Sequence, residues 1–460
     1  MKRLSSLFVV FLWVVADAAG EDANRFTMAL TGDTEITRKL SVHSEPEFLK
    51  MVDILRNTDV AFTNLELLLH DYEGWAEAEA DGPYQRVDPA LADELVWLGI
   101  DIVSRANNHA KDYGVTGMRV TSKHVLAAGL VEAGTGESLP EAREARYFDT
   151  PAGRVALISV ASTFPSHQRA GKPRTGIPAR PGLNPLRHSR NYVVTRERFD
   201  LLKATMNELG MSGRPGFRWP PSDSELLNVL GNRFVVGGVP DVRTEPHPGD
   251  LEEIMAVVRN ASEQADYVMV TIHAHKGYMK RWQPAEFLVT FAHALMDAGA
   301  DVFVGHGPLI LRGVEIYNGK PILYSVGNFI YENETLDRLP EDNYEWYGLG
   351  PNAGVADFME RHYDSGRRGF PGTPMNAEAV IAVPEWRSGA FHELRLYPIS
   401  LGHGKPRTVR GRPMLAEPAL AKKILDDVIR FSAPYGTHVE IRDNVGIIRV
   451  GGAASDGGEP

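Results

Sequence analysis

The stretch Asp101-Ile-Val-Ser-Arg-Ala-Asn-Asn-His-Ala-Lys-Asp-Tyr-Gly114 runs from an apolar strand directly into a polar loop that ends at a glycine. Asn108 offers an amide oxygen that can bind a metal, and His109 offers an imidazole that can bind a metal or move a proton. Asn side chains also stabilise turns through their own backbone, so this stretch alone is equally typical of a capped loop. Other strand ends in the chain decide between the two interpretations.

Polar residues follow several other predicted strands. The strands are predicted at residues 26–32, 60–63, 100–104, 267–272 and 301–305, and helical patterns lie between them. This alternation predicts an α/β sheet whose strand ends converge on one edge. A single His at a strand end is more often a hydrogen-bonded surface residue than a ligand, but a recurrence in order predicts a metal site. The recurring residues are Asp33, Glu66, Asn108, His109, His273 and His306.

Composition limits the chemistry of this site. The chain has 460 residues and is 43% hydrophobic, which is enough for two or three domains or one large α/β domain with insertions. Its formal charge of −11 argues against general nucleic-acid binding. Because the chain has no cysteine, a metal must be bound by His, Asp, Glu or Asn. That ligand set suits Mn, Zn, Fe or Mg and does not choose among them.

The N-terminus has the features of a signal peptide. Met1-Lys2-Arg3 precedes an apolar run at residues 7–15, and Ala16-Asp17-Ala18 supplies small residues for cleavage. Residues 1–19 are therefore predicted to direct export. The apolar run is short for a bilayer span, so a cleaved signal is favoured over an uncleaved anchor, which would be the protein's only contact with a membrane.

A basic, proline-rich segment interrupts the α/β pattern. Residues 163–195 contain five prolines and six Lys or Arg but no Asp or Glu, and we assign residues 163–250 to an insertion. Residues 163–195 are expected to form either a solvated, weakly ordered loop or a cover that attracts an anionic ligand to the sheet edge. The predicted substrate-binding residues are Arg169, Arg174, Arg180 and, outside the insertion, Asn328.

The C-terminal part of the chain looks structural. Residues 379–383 and 393–399 predict a hairpin, residues 416–431 a helix, and residues 438–450 a pair of short strands. We therefore expect residues 20–335 to form the main domain and residues 336–460 to be an extension that completes it.

Several motifs together resemble a known family. They are Gly32-Asp33, Asn64-Leu65-Glu66, Ala106-Asn-Asn-His109 with Asp112-Tyr-Gly114, His273, and the run from Gly305-His-Gly-Pro308 to Gly319-Lys-Pro-Ile-Leu-Tyr-Ser-Val-Gly-Asn-Phe329. The chain resembles the bacterial capsule-synthesis protein CapA, or poly-γ-glutamate synthesis, family, a branch of the calcineurin-like metallophosphoesterase superfamily. The resemblance covers residues 26–329 and implies a four-layer α/β/β/α sandwich with a metal site at one sheet edge.

The resemblance also implies roles for individual residues. Asp33 would be a ligand of the first metal and Glu66 the bridging carboxylate, while His109 would donate a proton or stabilise the transition state. The second metal would be held by Asn108, His273 and His306.

Two positions depart from the family pattern. Glu35 stands where related enzymes usually have a His, and Leu309 stands where the family often has a second His. The first metal would then keep Asp33 and Glu66, with Glu35 at best, unless His275 reaches it. One well-held divalent ion is therefore expected rather than two.

Two functions remain open at this point, with a third ranked last. The first is an exported metal-dependent hydrolase that acts on a phosphoester or amide of an anionic polymer, and the ligand set favours it. The second is a non-catalytic polyanion-binding or assembly component with a degenerate metal site, acting with other surface-polymer synthesis proteins. The family's association with capsule production favours it, because kinship of fold does not establish catalysis. The third treats the strand-end residues as hydrogen-bonding relics.

Overall fold

The computed structural model describes residues 25–211 and 225–450. The predicted signal peptide, residues 1–19, lies outside these ranges, so it stays a prediction. Within them, every helix is either too short or too polar to cross a bilayer.

The strands of the described residues are, in chain order, β1 (Arg25–Glu35), β2 (Val60–Leu65), β3 (Leu68–Leu69), β4 (Arg86–Val87), β5 (Ile102–Ser104), β6 (Val131–Ala133), β7 (Thr135–Gly136), β8 (Arg146–Thr150), β9 (Gly153–Ala161), β10 (Gly182–Leu183), β11 (His188–Val194), β12 (Leu226–Val229), β13 (Asn232–Val236), β14 (Asp241–Pro246), β15 (Tyr267–His273), β16 (Val302–His306), β17 (Val314–Tyr317), β18 (Lys320–Leu323), β19 (Asn328–Tyr331), β20 (Glu378–Arg387), β21 (Ala390–Ser400), β22 (Met414–Leu415), β23 (Glu440–Arg442) and β24 (Val445–Arg449).

The α-helices of the same ranges are α1 (Pro46–Arg56), α2 (Ala92–Leu98), α3 (Gly114–Ala127), α4 (Leu139–Arg143), α5 (Arg196–Glu208), α6 (Pro248–Ser262), α7 (Glu286–Asp297), α8 (Glu341–Glu345), α9 (Val355–His362), α10 (Gly369–Gly372) and α11 (Pro418–Ser432).

Two mixed sheets organise these elements. Sheet 1 has the order β23-β24-β21-β20-β1-β2-β5-β6, in which β1, β2, β5 and β6 run parallel. Sheet 2 has the order β17-β18-β16-β15-β9-β8, in which β9, β15, β16 and β18 run parallel. The parallel strands of each sheet therefore end at a common edge, where polar side chains can meet.

Alternating strand residues explain how the sheets pack. One hydrophobic cluster joins residues of both sheets, among them Met28, Phe62, Leu157 and Met269. The residues on the opposite faces pack on helices, α1 and α2 for sheet 1 and α6 and α7 for sheet 2. The predicted α/β sandwich is confirmed by this packing. The detailed four-layer arrangement stays a prediction of the resemblance.

The predicted hairpins of sheet 2 are confirmed, and the C-terminal hairpin is longer than predicted. In the β17–β18 turn, Asn318 and Gly319 have φ angles of 50° and 76°, as a two-residue hairpin turn requires. The C-terminal hairpin forms β20 and β21, and β20 pairs antiparallel with the first half of β1. The polypeptide after residue 336 thus supplies one half of sheet 1.

Strand β1 is irregular where it reaches the site. We expected the strand to end before Asp33, but β1 continues to Glu35, and its pairing with β2 and β19 shifts register around Asp33. A β-carbon on Gly32 would lie 1.7 Å from the carbonyl oxygen of Gly327, so only glycine fits there. The bulge and the close approach together fix the direction of Asp33.

Part of the insertion is ordered where we expected a loop. Residues 188–194, placed in a loop by the sequence analysis, form β11 at the centre of a four-stranded sheet of order β12-β13-β11-β14, here called the insertion sheet. The sequence signal was misleading because most backbone partners of β11 come from β14, about fifty residues later. His188 stacks on Phe287 of α7, which joins the insertion sheet to sheet 2.

A buried ion-pair cluster holds the insertion to the main body. Asp250 at the start of α6 accepts hydrogen bonds from Arg143 at 2.6 Å and from Arg187 at 2.8 and 2.9 Å. Burial alone would raise the pKa of Asp250, but the hydrogen bonds from Arg187 and Arg143 hold it below its ordinary value.

Asp250→Asn should therefore destabilise the protein at neutral pH. Removing one partner of a buried ion pair costs about 3 kcal/mol at the lower end of the usual range, which applies because solvent screens the 41% exposed Arg187. The contribution of a lowered carboxyl pKa is present above the unfolded value of about 4 and is lost as pH falls through the folded value. Urea unfolding of both proteins at pH 7 and in acid should show a stability difference that shrinks in acid. A difference that is constant with pH would contradict this account.

Candidate metal centre

The ends of parallel strands bring the predicted residues together. Asp33 on β1 is the register partner of Asn64 on β2, and His273 on β15 is the register partner of His306 on β16. Glu66 follows β2 by one residue. The two sheets thus deliver carboxylates from one side and imidazoles from the other.

Asp33 lies at the centre of a first buried group. Its Oδ1 atom is 3.1 Å from Nδ1 of His306 and 3.5 Å from Nδ1 of His273, and all three side chains are fully buried. Its Oδ2 atom accepts a hydrogen bond of 2.8 Å from the backbone N–H of Gly307. Gly307 has a φ of +107°, and a β-carbon there would lie 3.1 Å from both His273 and His275. The three side chains are close enough to hold one metal ion.

A second group shares His273 with the first. Nε2 of His273 lies 3.5 Å from Oε1 of Glu66 and 2.8 Å from Nε2 of His275, and these three residues are also close enough to hold one metal ion. His275 was only an additional candidate in the sequence analysis. The structure places it beside His273, so the second group has two imidazoles and one carboxylate.

The electrostatics of the two carboxylates differ. Burial would raise the pKa of Asp33, but hydrogen bonds and charge interactions with His273 and His306 lower it well below its ordinary value. Burial and the nearby charges of Asp33 and Glu35 raise the pKa of Glu66 well above its ordinary value. A divalent cation would relieve this repulsion, because it favours the charged form of every carboxylate around it.

Unpartnered polar atoms test whether the residues fit a cation. Oε2 of Glu66 and Oδ1 of Asn108 are buried and have no hydrogen-bond partner among the described residues. Nδ1 of His273 lies 3.1 Å from Nδ1 of His306, so these two nitrogens can share only one proton. Buried oxygens without donors and ring nitrogens that face one another are the atoms a divalent ion binds. The residues therefore fit a divalent metal.

His109 belongs to a buried pair beside this centre. Its Nδ1 lies 2.7 Å from Oδ2 of Asp112, and both side chains are buried. Burial would lower the pKa of His109, but the charge and hydrogen bond of Asp112 raise it above its ordinary value. With Nδ1 engaged, Nε2 is the nitrogen left to exchange a proton. The sequence analysis quoted Asp112 in a motif but gave it no role.

Glu35 is buried between the centre and this pair. It is 2% exposed, so the alternative in which it faces solvent is wrong. Its Oε2 atom accepts a hydrogen bond of 3.2 Å from Gln85. Burial raises the pKa of Glu35 to about 8.

Two asparagines hold the strand ends in register. Asn64 donates a hydrogen bond of 2.8 Å to Oδ1 of Asp33 and accepts one of 3.2 Å from Asn107. Asn107 also donates to the carbonyl of Leu65 at 2.8 Å and accepts from the backbone N–H of His109 at 3.1 Å. Both interpretations of the opening stretch therefore apply, since Asn107 caps the loop that presents Asn108 and His109.

Arg312 supports the centre from beneath and had no sequence signal. It is 1% exposed and donates to three carbonyls, those of Arg281 at 3.1 Å, Ala274 at 3.3 Å and His275 at 3.0 Å. Burial lowers its pKa to about 9. This guanidinium fixes the backbone that carries His275.

Leu309 packs on the hydrophobic cluster of sheet 1. Its φ of +62° is unusual for a leucine and costs about 1 kcal/mol or more. Among non-glycine residues, His tolerates such an angle better than Leu. The backbone of this position is thus compatible with the residue that the family often has there, while the side chain supplies no ligand.

The predicted substrate-binding residues lie in different surroundings. Arg174 and Arg180 are exposed, Arg169 is half-buried, and Nε of Arg180 donates to the carbonyl of Arg169 at 2.9 Å. Burial lowers the pKa of Lys111 and the charge of Arg180 lowers it further, which places Arg180 near the His109 loop. Asn328 is fully buried beside Asp33, and its amide donates to Asn376 at 2.8 Å. Their roles in substrate binding stay predictions.

Comparison with known proteins identifies the family. The sequence profile of the bacterial capsule synthesis protein PGA_cap matches residues 24–333. The chain belongs to this family. The matched residues include every predicted metal ligand and His109.

Similar proteins extend over most of the chain. An uncharacterized protein y4sH of Sinorhizobium fredii (strain NBRC 101917 / NGR234) is 37% identical over 447 residues, which cover 95% of this chain and 96% of that protein. The capsule biosynthesis protein CapA of Bacillus anthracis is 23% identical over 72% of this chain and 67% of its own length. The PGA biosynthesis protein CapA of Bacillus subtilis (strain 168) is 26% identical over 51% of this chain and 43% of its own length.

One solved structure with a similar backbone is that of a hypothetical protein from Thermus thermophilus. It has a TM-score of 0.36 and 14% identity, and it covers 81% of this chain and 98% of that chain. A TM-score this low assigns no function.

The Asp112–His109 pair predicts a shift that can be measured directly. In metal-free protein, Asp112→Asn should lower the pKa of His109, because the carboxylate that opposes the effect of burial is removed. Titration of the histidine ring signals by NMR, with His109→Gln to assign the resonance, measures this change. An unchanged pKa would show that Asp112 does not control the protonation of His109.

Proposed function

We propose that this PGA_cap family protein is an exported, metal-dependent hydrolase that cleaves a phosphoester or amide bond in an anionic substrate of the cell surface. The observation that carries the proposal is the buried group of Asp33, Glu66, His273, His275 and His306 next to the His109–Asp112 pair. A buried cluster of ligands alone suits a structural ion, whereas a proton donor beside it suits hydrolysis.

Each residue of the chain has a distinct part in this proposal. Asp33, Glu66 and His273, with Asn108, His275 and His306, would hold one divalent ion of the Mn, Zn, Fe or Mg type. When bound, such an ion supplies Lewis acidity and lowers the pKa of water. His109 would donate its Nε2 proton to the leaving group, and the raised pKa keeps that proton in place near neutral pH. Asp112 would fix the ring orientation.

The surroundings favour an anionic substrate that is reached outside the cytoplasm. Lys111 and Arg180 bring positive charge to the His109 loop, with Arg169 and Arg174 in the same segment. Relatives carry names from capsule and poly-γ-glutamate biosynthesis, which supports such a polymer as substrate and other surface-polymer synthesis proteins as partners. Export rests on the signal-like residues 1–19.

Leu309 favours a second candidate function. Because its side chain packs in the hydrophobic cluster and supplies no ligand, the centre has fewer ligands than a full two-metal site. In this alternative the protein binds or assembles an anionic polymer without cleaving it.

The proposal predicts metal binding that depends on His273. Purified mature protein should bind about one divalent ion, and His273→Ala should lower the stoichiometry strongly because both ligand groups share this residue. His392→Ala, which changes an exposed histidine on β21, is the matched control. Elemental analysis after incubation with Mn, Zn or Fe and extensive dialysis gives the stoichiometry. Wild-type protein that stays metal-free would end the hydrolase proposal.

Turnover should separate the two candidate functions. If the protein is a hydrolase, His109→Ala should lower kcat by roughly 10²- to 10⁴-fold, the usual contribution of a general acid, while metal stoichiometry is retained. Aryl phosphoesters and poly-γ-glutamate are suitable test substrates, and release of product measures kcat. A metal-loaded wild type that binds poly-γ-glutamate but turns over no substrate would favour the binding function.

A further inference from the structure

The insertion sheet forms a cavity of its own. The cavity has a volume of about 610 Å³ and lies among the first residues of β11, the start of β13 and the end of β14. Its polar lining includes Arg187, His188, Arg190, Asn232, Arg233 and His247. None of these residues belongs to the ligand set or the His109–Asp112 pair, so the cavity is separate from the candidate metal centre.

Two arginines of this cavity have no anionic partner among the described residues. Arg187 is neutralised by Asp250, which it contacts through two hydrogen bonds. Arg190 makes one long hydrogen bond of 3.4 Å to the Tyr192 hydroxyl, and neither it nor Arg233 pairs with a carboxylate in the part of the chain that the structure describes. Glu245 is the single carboxylate in the lining. Positive charge is therefore in excess.

The cavity is built on paired backbone rather than on a loose surface. Arg190 lies on β11 opposite Thr244 of β14, and Arg233 lies on β13 opposite Asn191 of β11. Thr244 in turn accepts a hydrogen bond of 3.1 Å from the backbone N–H of Phe287 on α7. The two arginines thus start from strands that are hydrogen-bonded to each other and docked on the main body.

Lys276 connects the cavity with the metal centre. It directly follows His275 and is exposed. Burial lowers the pKa of His188, and the charges of Arg190 and Lys276 lower it further, to about 4; the charge of Lys276 also lowers the pKa of His275. One lysine is therefore near both a cavity residue and a candidate metal ligand. Positive charge continues from the centre through Lys276 to Arg190.

We propose that the cavity of the insertion sheet is a second anion-binding site, in which Arg190 and Arg233 hold carboxylate or phosphate groups of a chain whose other part lies at the metal centre. This proposal rests on the proposed anionic substrate but not on its cleavage. A chain held at two separate places gains affinity from the second contact without any change at the first. Glu245 limits the affinity by repelling the bound anion.

The test is equilibrium binding of fluorescein-labelled poly-γ-glutamate to the full mature protein after metal has been removed by chelation and dialysis. Polyphosphate of similar length is the second probe, and the tighter of the two identifies the anion. Fluorescence anisotropy at several salt concentrations gives Kd and its salt dependence.

Three sets of variants give opposite expectations. Arg190→Gln with Arg233→Gln should weaken binding roughly tenfold, since two solvent-accessible charge contacts are lost, and should reduce the slope of log Kd against log salt by about 0.7 per contact. Glu245→Gln should tighten binding instead. Arg259→Gln with Arg361→Gln, which removes the same charge from exposed helix positions, should leave Kd unchanged. Thermal unfolding checks that each variant is folded.

Two results would overturn the proposal. One is an unchanged Kd in the Arg190 and Arg233 variant, and the other is an equal loss in the Arg259 and Arg361 control, which would show that only net charge matters. The outcome is distinguishable from failure of the hydrolase proposal. Binding that depends on Arg190 and Arg233 but is unaffected by His273→Ala would support the second site even if no turnover is found.

Discussion

Asp33 is a charged carboxylate with no exposed surface, and much of the structure is arranged around it. Asn64 and the backbone N–H of Gly307 donate hydrogen bonds to its two oxygens, and His273 and His306 approach the same side chain from the other sheet. A buried charge is tolerated only when it is paired and hydrogen-bonded. The bulge in β1, the glycines at 32 and 307 and the parallel register of β15 with β16 all serve this arrangement.

The same requirement explains why the centre suits a cation. Asp33, Glu35 and Glu66 are all buried, and their mutual repulsion raises the pKa of Glu35 and Glu66. Protonation can relieve this repulsion, but a divalent ion relieves it more completely because it also satisfies the unpartnered oxygens of Glu66 and Asn108. The His109–Asp112 pair keeps its proton separate from that exchange, since Asp112 rather than a metal ligand orients the ring.

Sequence patterns predicted the strand-end residues because parallel strands must end at a common edge. His273 and His306 are register partners for that reason alone. The roles of Asn64 and Arg312 were not predictable, because each depends on contacts between strands that are distant in sequence. Residues 188–194 were assigned to a loop because their local signals are weak, and they become a strand only through pairing with β13 and β14. Leu309 was noticed in the sequence, but its positive φ required the structure.

Anomalous diffraction from crystals grown with Mn²⁺ tests the central claim most directly, because it locates the ion as well as detecting it. A metal held by this centre should give a peak at about 2.0–2.3 Å from His273 and from carboxylate oxygens of Asp33 or Glu66. A map with no peak there, in which His273 remains hydrogen-bonded to His275 and His306 at full Mn²⁺ exposure, would contradict the account.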